Sequence, residues 1–109
     1  MNDTDFPIRT IYRFRFAAGV DMDEVNEAME LAVLAVESRR GTAEVRLDVP
    51  RSGDDHLRAV AIDGSFDAGR EVAKVFVAFC EREFGPSVFR IDRIFSRGDI
   101  FGGKTWSAA

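Results

Sequence analysis

The sequence predicts an α+β domain in which a four-stranded antiparallel sheet carries two helices on one of its faces. Residues Ile8 to Phe16 alternate with period two, as a half-buried strand does, and residues Arg70 to Gly85 repeat at the 3.6-residue period of a helix with a wide apolar face. Between and after them the signals run in the order strand, helix, strand, strand, helix, strand.

In the first strand Ile8, Thr10, Tyr12, Phe14 and Phe16 share one face, and Arg9, Ile11, Arg13 and Arg15 share the other. Ala17 to Gly19 turn the chain. Asp21 is placed to cap a helix, with Glu24 three positions on and Val20 able to pack on Val25 as a staple. Val25, Ala28, Met29, Ala32, Val33 and Val36 form the stripe that should face the core. Leu31 and Leu34 fall outside it. Leu31 is expected against the neighbouring helix, and Leu34, opposite Val25, is the candidate for a contact with another chain.

Arg39, Arg40 and Gly41 end this helix with positive charge at its negative end. A second strand is predicted over Ala43 to Val49, with Ala43, Val45, Leu47 and Val49 inward, until Pro50 removes a ladder donor. Pro50 to His56 reads as a polar loop and Leu57 to Asp63 as a third strand with Val60 and Ile62 inward. In the second helix Val72, Val75, Phe76, Phe79 and Cys80 cluster on one face, with Val77 and Phe84 at its shoulder, and Gly85 and Pro86 stop it. The fourth strand runs from Ser87 to Phe95, with Phe89, Ile91 and Phe95 inward and Arg90 and Asp92 outward.

Two βαβ halves joined by a hairpin give the ferredoxin-like βαββαβ arrangement, with both helices on one face of the sheet. The other face is expected to be open and to carry Arg9, Arg13, Arg15, Arg46 and Arg90 beside Glu44, Asp48, Asp63 and Asp92. Opposite charges on neighbouring strands pair at roughly 0.2 to 1 kcal/mol each, so this face reads first as cross-strand pairing and second as a partner surface.

Composition narrows the function. At 109 residues and 46% hydrophobic the chain is one domain, with residues 1–7 expected to be a flexible N-terminus and 96–109 a C-terminal tail. No apolar run approaches a membrane span and no leader-like order opens the chain, so the expected location is the cytoplasm. A net charge of -4 lacks the basic footprint of a nucleic-acid binder, and the positions where an RNA-binding sheet would show aromatics are Arg13, Arg15, Ala59 and Ala61. The single cysteine, Cys80, reads as a small core residue.

Gly98 to Thr105, GDIFGGKT, fits the phosphate-loop pattern, but that pattern needs a helix after it and only Trp106 to Ala109 follow in this sequence. Continuation into a longer protein would reopen that reading. Asp54, Asp55 and His56 are consecutive and seldom converge on one metal, and Arg97-Gly98-Asp99 is most simply a turn. Catalytic, cofactor and metal residues are therefore expected to be none.

The expected function is a non-catalytic interaction or regulatory module that self-associates, using Arg13, Arg15, Arg46, Arg90, Leu34, Phe101 and Trp106. The alternative is an anion-binding domain or small enzyme with its site at the Ala17 to Asp21 turn beside Arg15. Ile100, Phe101 and Trp106 are too apolar for a solvated tail, which should dock on the sheet face or on a second subunit, with docking between chains favoured.

Overall fold

A computed structural model of the chain describes residues 8–48 and 51–97. Its elements are β1 (Ile8–Phe16), α1 (Met22–Arg40), α2 (Thr42–Asp48), β2 (Arg51–Asp54), β3 (Ala59–Asp63), α3 (Asp67–Phe84) and β4 (Phe89–Arg97), with a 3-10 turn at Pro86–Val88. The four strands form one antiparallel sheet in the order β2-β3-β1-β4.

The alternation in β1 decides where the core lies. Phe14 and Phe16 face the helices together with Val60 and Ile62 of β3, and the stripe of α1 packs on them with Val72, Phe76 and Cys80 of α3. All six residues predicted for the α1 stripe are buried, joined by Met22. Phe76 sits edge-on to Phe14 at 4.8 Å and to Phe16 at 6.3 Å. Asp21 caps α1, its Oδ1 accepting from the Asp23 N–H at 2.9 Å. Gly85 closes α3 with φ of 91°, a conformation that side chains rarely adopt.

Residues 43–49, predicted as a strand, are helical over Thr42–Asp48. The alternation there was real but short, and a helix satisfies it with one inward knob: Val45 is buried while Ala43 is exposed. Good helix formers and an i,i+4 bridge from Arg40 to Glu44 at 2.8 Å favour that state. In consequence Arg46, Glu44 and Asp48 belong to a helix and not to the sheet. The second strand instead lies at Arg51–Asp54, inside the stretch read as a loop. Serine, glycine and aspartate are poor strand formers, but the backbone of RSGD pairs with β3 from Arg51 opposite Ile62 to Asp54 opposite Ala59.

Smaller differences follow the same logic. β3 starts at Ala59, because Arg58 adopts a positive φ of 55° in the turn. α3 starts at Asp67, earlier than the periodicity of its large side chains shows, because its first buried residues are Ala68 and Gly69. Gly69 is where α3 meets the end of β3: a Cβ there would lie 1.9 Å from the Asp63 carbonyl oxygen. Ile91 and Phe95 do lie on the helix side of the sheet but are 43% and 65% exposed, because β4 is an edge strand that the helices do not fully cover. No helix among the described residues is long and apolar enough to cross a membrane.

Candidate functional site

The sheet face turned away from the helices carries Arg9, Ile11, Arg13 and Arg15 from β1, Ala59, Ala61 and Asp63 from β3, and Arg90, Asp92 and Ile94 from β4. At its centre Ile11, Ala59 and Ala61 form a second buried cluster with Ile94 packed against it. The charges around them are largely spent on one another. Arg9 donates to the buried Asp63 at 2.5 Å, and Asp63 also accepts from the Ser65 N–H at 2.8 Å. Arg13 and Arg15 both donate to Asp92 at 3.2 Å, with Arg90 at 3.9 Å. The hydrogen bond from Arg13 holds the Asp92 carboxyl below the usual range, and burial works against it.

Arg13 is only 6% exposed, and its Nε has no hydrogen-bond partner among the described residues. Of the predicted interaction residues, Arg13, Arg15 and Arg90 therefore come together around Asp92, and Arg15 and Arg90 remain exposed. Arg46 lies elsewhere, on α2, 3.9 Å from Glu37 of α1. Leu34 is 57% exposed on α1, and Leu31 is 55% exposed beside it, not packed under the neighbouring helix as expected. Phe101 and Trp106 lie outside the described residues, as does the GDIFGGKT segment.

The turn proposed as an anion site is occupied by the protein's own groups. The Arg58 guanidinium donates to the carbonyl oxygens of Phe16, Ala17 and Val20, and Asp21 places its carboxylate on the first turn of α1. Asp54 accepts from the Leu57 N–H at 3.1 Å and Asp55 from Asn26 Nδ2 at 3.2 Å, so both shape the β2–β3 turn. Among the described residues no three His, Cys, Asp or Glu side chains converge as a metal-binding group. Cys80 is buried, and desolvation first, then the charge of Glu81, pushes its thiol up to about 12.

The feature that sequence reasoning missed is the outer edge of β4. In β1 the Thr10 carbonyl accepts from the Gly64 N–H at 2.7 Å, and Phe16 N–H donates to Arg58 O at 2.9 Å, so its even-numbered residues turn their backbone toward β3. These residues stand opposite Phe89, Ile91, Arg93, Phe95 and Arg97 of β4, whose N–H and C=O groups consequently point away from β1. Among the described residues no strand pairs with that edge. Beside it, Tyr12, Phe14, Ala73, Val77 and Ile91 line an apolar groove of about 220 Å³ rimmed by Arg70 and Lys74. The order β2-β3-β1-β4 puts the fourth strand at an edge, whereas alternation alone makes Ile91 and Phe95 look buried. The opposite edge, β2, is four residues long and polar, a form that resists pairing.

No protein-family model matches the chain, and none of the curated proteins or solved structures compared with it does so either.

Proposed function

We propose that this domain is a non-catalytic interaction module that self-associates through the outer edge of β4. The observation that carries the reading is a nine-residue strand with an unpaired edge among the described residues, on which Ile91 and Phe95 are exposed next to an apolar groove. Long edges with apolar side chains are templates for pairing with another chain. Two copies of β4 meeting antiparallel about Arg93 would set Ile91 of one copy opposite Phe95 of the other, twice over. Each such pair contributes roughly 0.2 to 1 kcal/mol, and the two Arg93 side chains at the centre oppose them, so the association is weak and reversible. Arg15 and Arg90 on the charged face and Leu34 on α1 are secondary contacts in this reading, acting on orientation and rate of encounter.

The same reading takes the fold as ferredoxin-like with one helix added to its first crossover. Counted from the β4 edge the strand order is β4-β1-β3-β2 with antiparallel neighbours, which supports it. A cytoplasmic location is supported by a buried cysteine and by the lack of a membrane-crossing helix among the described residues. The test is sedimentation velocity over a wide concentration range. The parent should show reversible association, which Phe95→Lys should weaken by about tenfold, the effect of losing about 1.4 kcal/mol. A parent that stays monomeric throughout, or a Phe95→Lys chain that associates equally well, refutes the reading.

A further inference from the structure

We infer that the end of the sheet where β1 and β4 meet the 3-10 turn is a binding site for a small organic phosphate monoester, gripped by Arg15 and Arg90. The site is separate from the unpaired edge of β4 and does not depend on self-association. Arg15 and Arg90 stand directly opposite each other on neighbouring strands, on the face turned away from the helices. Like charges in that position destabilise a sheet unless a group of opposite sign sits with them. The protein supplies one such group, Asp92, which Arg15 reaches at 3.2 Å and Arg90 only at 3.9 Å, too far for a hydrogen bond.

Asp92 does not exhaust the charge gathered around it. Arg13 also donates to it, so three guanidinium groups share one carboxylate, and among the described residues none of the three bridges to another. The cluster is left with an excess of two positive charges. Arg13 is itself the second observation, because it is buried and its Nε has no partner among the described residues. Burying a guanidinium so incompletely bonded is costly, and Arg15 alone would neutralise Asp92. What Arg13 adds is a positive charge behind the two exposed arginines, where low dielectric strengthens its pull on an anion.

The ligand class follows from what lies beside the arginines. A cavity of about 430 Å³ opens there, its remaining lining being Phe16, Ala17, Ser87, Val88 and Phe89. Small-molecule sites run roughly from 300 to 1,000 Å³. A phosphate monoester carries close to two negative charges near neutral pH, which balances the excess, and its oxygens match the forked N–H groups of arginine. Phe16, Val88 and Phe89 give an aromatic body an apolar wall, and the exposed Ser87 hydroxyl can donate to an ester oxygen. A single carboxylate would leave half the excess charge unmatched, and inorganic phosphate would leave the apolar wall unused. The Ala17 carbonyl is already taken by Arg58, so the site is built from side chains and uses no helix terminus.

The experiment titrates the full chain with phenyl phosphate and follows the backbone amides by NMR. Saturable shifts should centre on Arg15, Ala17 and Ser87 to Arg90, and inorganic phosphate and benzyl alcohol should each bind about tenfold more weakly or worse. Arg90→Gln, at an exposed side chain whose contact with Asp92 is not a hydrogen bond, should fold normally and weaken binding by about tenfold. Arg46→Gln removes the same charge from α2 and should leave binding unchanged. Asp92→Asn frees the arginines from their own carboxylate, so phenyl phosphate should raise its unfolding midpoint by more than it raises that of the parent. Absence of saturable binding, shifts spread over other basic surfaces, equal losses in Arg90→Gln and Arg46→Gln, or inorganic phosphate binding as tightly as the ester each overturns the inference. Pairing at the β4 edge is read separately, by sedimentation of the parent without ligand.

Discussion

Replacing Phe76 by alanine tests the packing on which every surface described here depends. Phe76 is fully buried between α3 and β1, edge-on to two phenylalanines. A buried phenylalanine removes about 200 Å² from water, worth about 5 kcal/mol at 25 cal/mol per Å², of which alanine keeps roughly a third. The cavity left behind adds about 24 cal/mol per Å³ to the extent that Phe14 and Phe16 cannot close it. The expected loss is about 3 to 5 kcal/mol, a large share of the roughly 5 to 15 kcal/mol that holds a domain of this size. Urea unfolding followed by circular dichroism measures it, with Val77→Ala, one residue further round α3 and only partly buried, as the control. The control should lose less than about 1.5 kcal/mol. If Phe76→Ala loses no more than Val77→Ala at equal urea dependence, α3 is rotated from the position described.

Three further outcomes are expected. Gly69→Ala places a methyl group against the Asp63 backbone and should cost about 2 kcal/mol or more in thermal or urea unfolding, the reverse of the usual gain for alanine in a helix; an unchanged midpoint would deny the close approach. Glu71, held by hydrogen bonds from Arg39 and Arg40, has its carboxyl lowered from 4.5 to about 2, so its contribution is present above pH 4.5 and lost as pH falls toward 2. The acid side of a stability-against-pH profile should accordingly be shallower in Glu71→Gln than in the parent, and parallel profiles would reject the pairing. Cys80, with its thiol pushed up to about 12, should resist Ellman's reagent at pH 8 until the protein unfolds, and immediate stoichiometric reaction would show that it is not buried.

Much of the fold was legible because long amphipathic signals survive without tertiary context. Nine alternating residues placed β1, and six residues of one stripe placed the inner face of α1. The sequence was misleading where segments were short. AEVRL satisfies a strand's alternation and a helix turn equally, and the choice between them was made by Arg40, Glu44 and the packing of Val45. RSGD became a strand because β3 offered it a partner, which no local propensity records. At the candidate surface, the cross-strand pairing of Arg9, Arg13 and Arg15 followed from alternation and charge. The β4 edge did not, because inward-pointing and covered are different properties. Alternation reports the first; only the width of the helical layer decides the second.

The helix that replaced the predicted strand leaves the domain with a weak segment. Among the described side chains of α2 only Val45 is buried, and the remaining attachments are ionic, from Arg40 to Glu44 and from Arg46 to Glu37. Seven residues are too few to hold a helix by themselves in water. Local opening of α2 should therefore cost far less than unfolding the sheet, and because charges hold it, added salt should lower that cost while leaving the aromatic core untouched. Since Arg40 also grips Glu71, each opening loosens a tie between α1 and α3, so ionic strength sets how tightly the two main helices are bound at the end remote from the first turn.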